Sequence, residues 1–129
     1  MENLFIEGFE ERPQVDFNAN TGILEISESS YPEYTKEIYT PIVDWLTQYL
    51  ATNGRKFTFN FRMDYFNTST SSRFQKIIEQ LNDYHTSKKG EVTINWFYEE
   101  GDTDMFEYGE DYSKDAKMPF NLISYPPKS

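Results

Sequence analysis

Apolar and polar positions alternate most sharply from Lys56 to Tyr65. There Phe57, Phe59, Phe61 and Met63 interleave with Thr58, Asn60, Arg62 and Asp64. A period of two marks a strand with one buried face. Val15 and Phe17 alternate in the same way within Pro13–Phe17, and a Gly22–Ser27 run comes after the turn-forming Asn18-Ala-Asn-Thr-Gly22. The two runs predict a hairpin. Leu4 to Phe9 predicts an edge strand or a segment packed over the sheet. Val92–Tyr98 and Met118–Tyr125 predict the last two strands.

Elsewhere the period lengthens. Ile38, Ile42, Trp45, Leu46, Tyr49 and Leu50 fall at three- and four-residue spacings, one stripe of an amphipathic helix. Ser29-Ser-Tyr-Pro-Glu33 carries start signals for it, and Asn53-Gly54 ends it. Pro41 lacks a backbone donor, so the helix kinks there or properly begins there with Thr40 as cap. After a polar hinge, Asn67 to Ser72, the residues Phe74, Ile77, Ile78 and Leu81 predict a second helix that closes near Lys88-Lys-Gly90. Asp102 to Asp115 predicts a short acidic helix, with Met105, Phe106, Tyr108 and Tyr112 as its apolar surface. The order β-β-α-β-α-β-α-β predicts an α/β fold: one mixed sheet with crossover helices on at least one face. Residues 1–129 are expected to form one domain, with a core from about 5 to 125 and a short Pro-rich tail.

Composition sharpens this picture. Eleven Phe, ten Tyr and two Trp supply much of the core. With 12 basic against 22 acidic residues the formal charge is −10. Repulsion then argues against nucleic acid and anionic membranes as general partners. The absence of cysteine excludes disulfides, thiolate catalysis and Cys-based zinc sites. The N-terminus lacks a basic region leading into a long apolar stretch, and no apolar run approaches the ~20 residues that cross a bilayer. The cytoplasm is the expected location.

The chemistry concentrates in Tyr65-Phe-Asn-Thr-Ser-Thr-Ser-Ser72. Asn and hydroxyl side chains at a helix start accept bonds from its unpaired amides. Four successive hydroxyls after Thr68, Ser69 to Ser72, exceed the needs of one cap, and a phosphoryl group here would lie where amides and the helix dipole favour an anion. It would add roughly −1.5 to −2 charges. Asn67-Thr68-Ser69 matches a glycosylation pattern that carries no meaning without export. The acidic stretch from Asp102 fails as a calcium loop: counted from Asp102, Glu107 stands where the turn glycine is needed and Ser113 where the bidentate Glu belongs. His85, the only histidine, is expected at the surface, and Lys88-Lys89 suits a helix end. No phosphate loop, nucleophile elbow or metal-ligand spacing is present, so no cofactor and no catalytic residue are expected.

In combination, Ser30-Tyr-Pro-Glu33, Val43-Asp-Trp45, Tyr65-Phe-Asn-Thr-Ser69, Trp96-Phe-Tyr98, Glu107-Tyr-Gly-Glu-Asp111 and Pro119-Phe120 resemble the bacterial SiaC family. The likeness runs in order from about Phe5 to Phe120. It implies a fold similar to anti-sigma-factor-antagonist (STAS-like) domains, acting in partner switching. The resemblance further implies that a protein kinase phosphorylates the Thr of the Asn-Thr-Ser motif and that a metal-dependent Ser/Thr phosphatase reverses this. On the same resemblance the unphosphorylated form is expected to bind and activate a diguanylate cyclase, raising cyclic-di-GMP and promoting biofilm growth. The family's Thr falls on Thr68. The sequence is richer in hydroxyls than the family's pattern, which leaves Ser69 and Thr70 as alternative phosphorylation sites. Tyr65, Asn67, Ser69 and Arg73 are expected to contact partners beside the switch. Arg62, Arg73 and Lys76 lie near enough in sequence to soften the added charge. Two rival readings remain: a constitutive adaptor in which residues 67–72 merely cap a helix, and a small-molecule enzyme using the carboxylates of residues 99–115.

Overall fold

The computed structural model describes residues 1–127. Six strands form one sheet in the order β1-β2-β3-β4-β5-β6, the order of the chain. They are β1 (Leu4–Ile6), β2 (Gln14–Asn18), β3 (Ile23–Ser30), β4 (Lys56–Phe66), β5 (Glu91–Glu99) and β6 (Phe120–Tyr125). Helices α1 (Thr35–Leu50), α2 (Thr68–Thr86) and α3 (Thr103–Lys114) bridge the last four strands. The expected mixed sheet is present, with β1-β2-β3 antiparallel and β3 to β6 parallel. The expected order needs one strand more at its start. Leu4–Ile6 pairs with Val15–Phe17, which turns Leu4 and Ile6 toward the core and Phe5 outward.

The hairpin closes where the Asn/Gly signals lie. Asn18 Oδ1 accepts from the amides of Asn20 and Thr21, and Gly22 takes φ +72°, which only glycine adopts without strain. Because parallel neighbours are consecutive in sequence, right-handed crossovers stack every helix on the same face. That face holds a single core: Val15 and Phe17, Leu24 and Ile26, Phe57, Phe59 and Phe61, Val92, Ile94 and Trp96 meet the helical stripes. The other face is bare and self-satisfied. Asn121 donates to Asn95 and Asn95 to Asn60, at 3.0 and 3.1 Å, while Arg62 lies 3.9 Å over Phe97 and pairs with Glu25.

Two helix starts differ from expectation. Ser29 and Ser30 stay in β3, and α1 begins at Thr35 with Pro41 well inside it. Pro41 is tolerated because it lies on the exposed side, where water can serve the carbonyl it leaves unpaired. Residues 68–72 are no hinge but the first turns of α2, with Asn67 as N-cap: its Oδ1 accepts from Thr70 N at 2.9 Å. Pro119 and the exposed Pro126-Pro127 bracket β6, and the rest of the predicted tail, Lys128-Ser129, lies outside the described residues.

The strand alternation breaks at one point. Glu28 pairs with Met63 and Ser29 with Tyr65, so Asp64 is an extra residue in β4, a β-bulge. Opposite it, Glu28 holds φ +71°, an unusual value for a residue with a side chain. Gly8 makes the room: a Cβ there would overlap the Glu28 carboxylate. The bulge reverses the facing of the last two residues of β4. Tyr65 turns outward, 55% exposed, and Phe66 turns into the core at 4%.

Candidate functional site

Thr68 is the first residue of α2, exposed, at the end of the sheet where the parallel strands finish. Ligand sites of open α/β sheets collect at this end, because the loops there are free of the strand ladder. The corner beneath it is tied down by the neighbouring hydroxyls. Thr70 is fully buried; its Oγ1 donates to Ser30 O at 3.0 Å and lies 2.9 Å from Ser30 Oγ. Ser30 Oγ is in turn 2.7 Å from Tyr39 OH. One arrangement satisfies every proton: Tyr39 donates to Ser30, Ser30 to Thr70, and Thr70 to the Ser30 carbonyl. Burial pushes the Tyr39 phenol up to about 12, against smaller opposing effects from Ser30, Thr70 and Arg73.

Ser71 performs the same service for α3. Its Oγ is 2.6 Å from Tyr112 OH, and Tyr112 donates to Ser71 O at 3.1 Å. Burial raises the Tyr112 phenol as well, opposed by its bond to Ser71. The surplus of hydroxyls therefore has a structural part: Thr70 fastens α2 to β3 and α1, and Ser71 fastens it to α3. Thr68, Ser69 and Ser72 remain exposed. As an alternative phosphorylation site Thr70 is closed, since no kinase reaches its hydroxyl without opening the corner.

Beside Thr68 lies a cleft of about 250 Å³ between the β4–α2 and β5–α3 junctions. Tyr65, Phe66, Asn67, Met105 and Tyr108 supply its apolar and neutral walls, and Asp64, Asp102 and Asp104 supply carboxylates. Asp102 caps α3, accepting from Met105 N at 3.0 Å. Trp96 Nε1 donates to Met105 O at 2.9 Å, and Gly109 lies so close to Trp96 and Leu122 that a Cβ would overlap both. These contacts hold α3 against the sheet and set Tyr108 on the rim, 4.7 Å from Phe66. Tyr31 packs edge-on against Tyr65 at 5.8 Å. The carboxylates line the cleft without forming a metal site: among the described residues no three His, Asp or Glu side chains are arranged to hold a metal ion.

Of the expected contact residues, Tyr65 and Asn67 line this cleft with Thr68. Ser69 is exposed one step further round the helix. Arg73 lies elsewhere, with Lys76 in a groove between α1 and α2, and Arg62 is engaged on the bare face of the sheet. None of the three cations lines the cleft, so none is placed to pair directly with a phosphate there. The reason is helical geometry: five residues beyond Thr68, Arg73 projects from the side of α2 toward α1. His85 also departs from expectation. It is half-buried, and its Nδ1 accepts from Val92 N at 3.2 Å, a structural tie between α2 and β5. Tyr31, Asp102 and Asp104 are not among the expected contact residues. The acidic stretch from Asp102 is visible in the sequence, and the adjacent aromatics Tyr65 and Phe66 that end a strict alternation point to a bulge, but neither signal places these residues beside Thr68.

The family description matches the chain over residues 6–125, as SiaC family regulatory phosphoprotein. The chain belongs to the SiaC family. An uncharacterized protein of Pseudomonas aeruginosa (strain UCBPP-PA14) is 28% identical over 125 residues, covering 97% of this chain and 98% of its own. The structure is similar to SiaC of Pseudomonas aeruginosa, with a TM-score of 0.89 at 26% identity, over 97% of this chain and 100% of that one. The crystal structure of the diguanylate cyclase SiaD in complex with its activator SiaC, from the same organism, matches with a TM-score of 0.89 at 26% identity. That match covers 95% of this chain and 99% of the other. The SiaC fold therefore extends over nearly the whole of this chain, the Thr68 cleft included.

Proposed function

We propose that this chain is a non-enzymatic signalling switch of the partner-switching, STAS-like kind, reversibly phosphorylated on Thr68. A protein kinase adds the phosphoryl group and a metal-dependent Ser/Thr phosphatase removes it. The unmodified form binds and activates an effector, a diguanylate cyclase, so that the switch controls cyclic-di-GMP and biofilm growth from the cytoplasm. Support for the effector comes from family membership and from the likeness to a SiaC described as the activator of SiaD.

The observation that carries the reading is the contrast between two threonines of one helical turn. Thr68 is exposed on the wall of the cleft, whereas Thr70 is sealed by hydrogen bonds. A kinase could therefore modify Thr68 without unfolding the corner. The phosphate would sit among carboxylates, with no cation among the described residues that line the cleft. It would have to stay hydrated, and a docked partner removes that water, so modification opposes docking by bulk and by desolvation.

The test is phosphosite analysis of the protein recovered from its native cells, with and without Thr68→Ala. One phosphoryl adduct on Thr68, lost in the variant, is the expected result. Phosphate found only outside residues 67–72 overturns the reading. No adduct under any growth condition, with the variant behaving as wild type, would favour the constitutive adaptor, to which the Asn67 cap bond is equally suited.

A further inference from the structure

Among the described residues eight large apolar side chains are exposed, and four of them, Tyr31, Tyr34, Tyr65 and Tyr108, stand at the Thr68 end of the sheet. The turn bearing exposed Phe9 is held to the same end, since Tyr31 N donates to Glu11 O at 2.9 Å. Exposed aromatic clusters of this kind mark interaction surfaces, and tyrosine is enriched where binding energy concentrates. At about 250 Å³ the cleft is smaller than the ~300–1,000 Å³ typical of small-molecule pockets, but it admits one long side chain.

We infer that this end takes an arginine-bearing segment of a partner protein, one guanidinium entering the cleft between Tyr65 and Tyr108 to meet the carboxylates of Asp64, Asp102 and Asp104. The inference deepens the proposed function, resting on that reading of this end as the effector-binding surface. Charge complementarity selects the occupant, because among the described residues the charged ones lining the cleft are all acidic. A purely apolar segment would strip water from those carboxylates and leave them unpaired, and an acidic one would be repelled. Arginine suits the walls better than lysine. Its planar group stacks on a ring face while donating two parallel bonds to a carboxylate, which an ammonium cannot do. Thr68 lies on the wall of this space, so a phosphoryl group there would fill the room the guanidinium needs.

The probe is a twelve-residue amphipathic peptide bearing three arginines, with lysine and glutamate counterparts, titrated into the full chain and monitored by amide chemical shifts. The arginine peptide is expected to move amides of residues 64–68 and 102–108, and to bind several-fold more tightly than the lysine peptide. Tyr65→Ala should weaken it about three- to fivefold. Asp102→Asn with Asp104→Asn should weaken it about tenfold, and since Asn also caps helices, α3 should survive. Unchanged thermal unfolding of both variants would show that folding is intact. Shifts spread over the acidic surface, equal response to arginine and lysine, or indifference to both variants would each overturn the inference. Phosphosite analysis separates it from the switch. Peptide binding as expected with no phosphate on Thr68 in native cells would keep arginine docking and overturn the switch. Phosphate on Thr68 with no peptide binding would overturn arginine docking and keep the switch.

Discussion

Where the parallel strands begin, polar side chains are turned back on the molecule; where they end, aromatic rings and carboxylates are presented outward. At the first end Arg55 Nε donates to Tyr49 O at 2.7 Å, with its guanidinium 4.0 Å over the Tyr49 ring. Tyr84 OH donates to Thr52 O and accepts from Arg55 N, at 2.8 and 3.1 Å. His85 is bonded to Val92, and Lys56 lies 3.8 Å from Glu91. At the second end Tyr31, Tyr65 and Tyr108 are exposed by 46, 55 and 38%, above buried Ser30, Tyr39 and Thr70 and half-buried Ser71, all hydrogen-bonded. The two ends differ in what lies outermost. At the first a hydrogen-bonded layer faces solvent. At the second such a layer lies beneath outward-facing rings and fixes the position of groups that a partner would meet.

The comparison breaks first in alkali, where the layer under the Thr68 end should fail. Below pH 10 the Tyr39 phenol is protonated in both folded and unfolded chains, and stability is complete. Between pH 10 and about 12 the unfolded chain releases its proton first, so stability falls by about 1.4 kcal/mol per pH unit, about 3 kcal/mol in all. Denaturant titrations at stepped pH measure this, and Tyr39→Phe should flatten the slope. The raised phenols of Tyr49, Tyr112 and Tyr125 act in the same direction. A wild-type slope equal to that of the variant would remove Tyr39 from the account.

The next largest effect sets two threonines against each other. Thr70→Val leaves Ser30 and its carbonyl short of a partner and should cost about 1–3 kcal/mol in chemical denaturation. Thr68→Val, on the exposed wall, should stay within about 0.5 kcal/mol. Equal losses would mean that the two hydroxyls do not differ in role.

Smallest is the contrast between single tyrosines of the two ends. Tyr84→Phe forfeits two bonds and should lower stability by about 1–2 kcal/mol. Tyr65→Ala should change it by no more than about 0.5 kcal/mol while weakening effector binding. A destabilised Tyr65→Ala protein would place that ring in the supporting layer rather than on the docking surface.

The strands of Phe57–Met63 and Val92–Tyr98 were legible from alternation, and α1 and α2 from their apolar stripes, because each pattern repeats within one element. That Thr68 stands at a helix start was legible from the Asn and hydroxyl residues around it. The roles of its neighbours were not. Thr68, Ser69, Thr70, Ser71 and Ser72 are chemically alike in the sequence, yet one is sealed against β3, one is fastened to α3 and three are open.

The presence of three helices and of the principal strands, and the acidic balance, were determined by the sequence on its own, since they depend on spacing and composition within the chain. Element starts and the coverage of only one sheet face were not. The direction of Tyr65, the burial of Thr70 and the meeting of Asp64 with Asp102 and Asp104 were decided by tertiary structure. Each depends on register between strands or on the angle at which one helix lies beside another. An extra residue at Asp64 inverts the face of Tyr65 and Phe66 at the end of β4, and only pairing with β3 makes it extra.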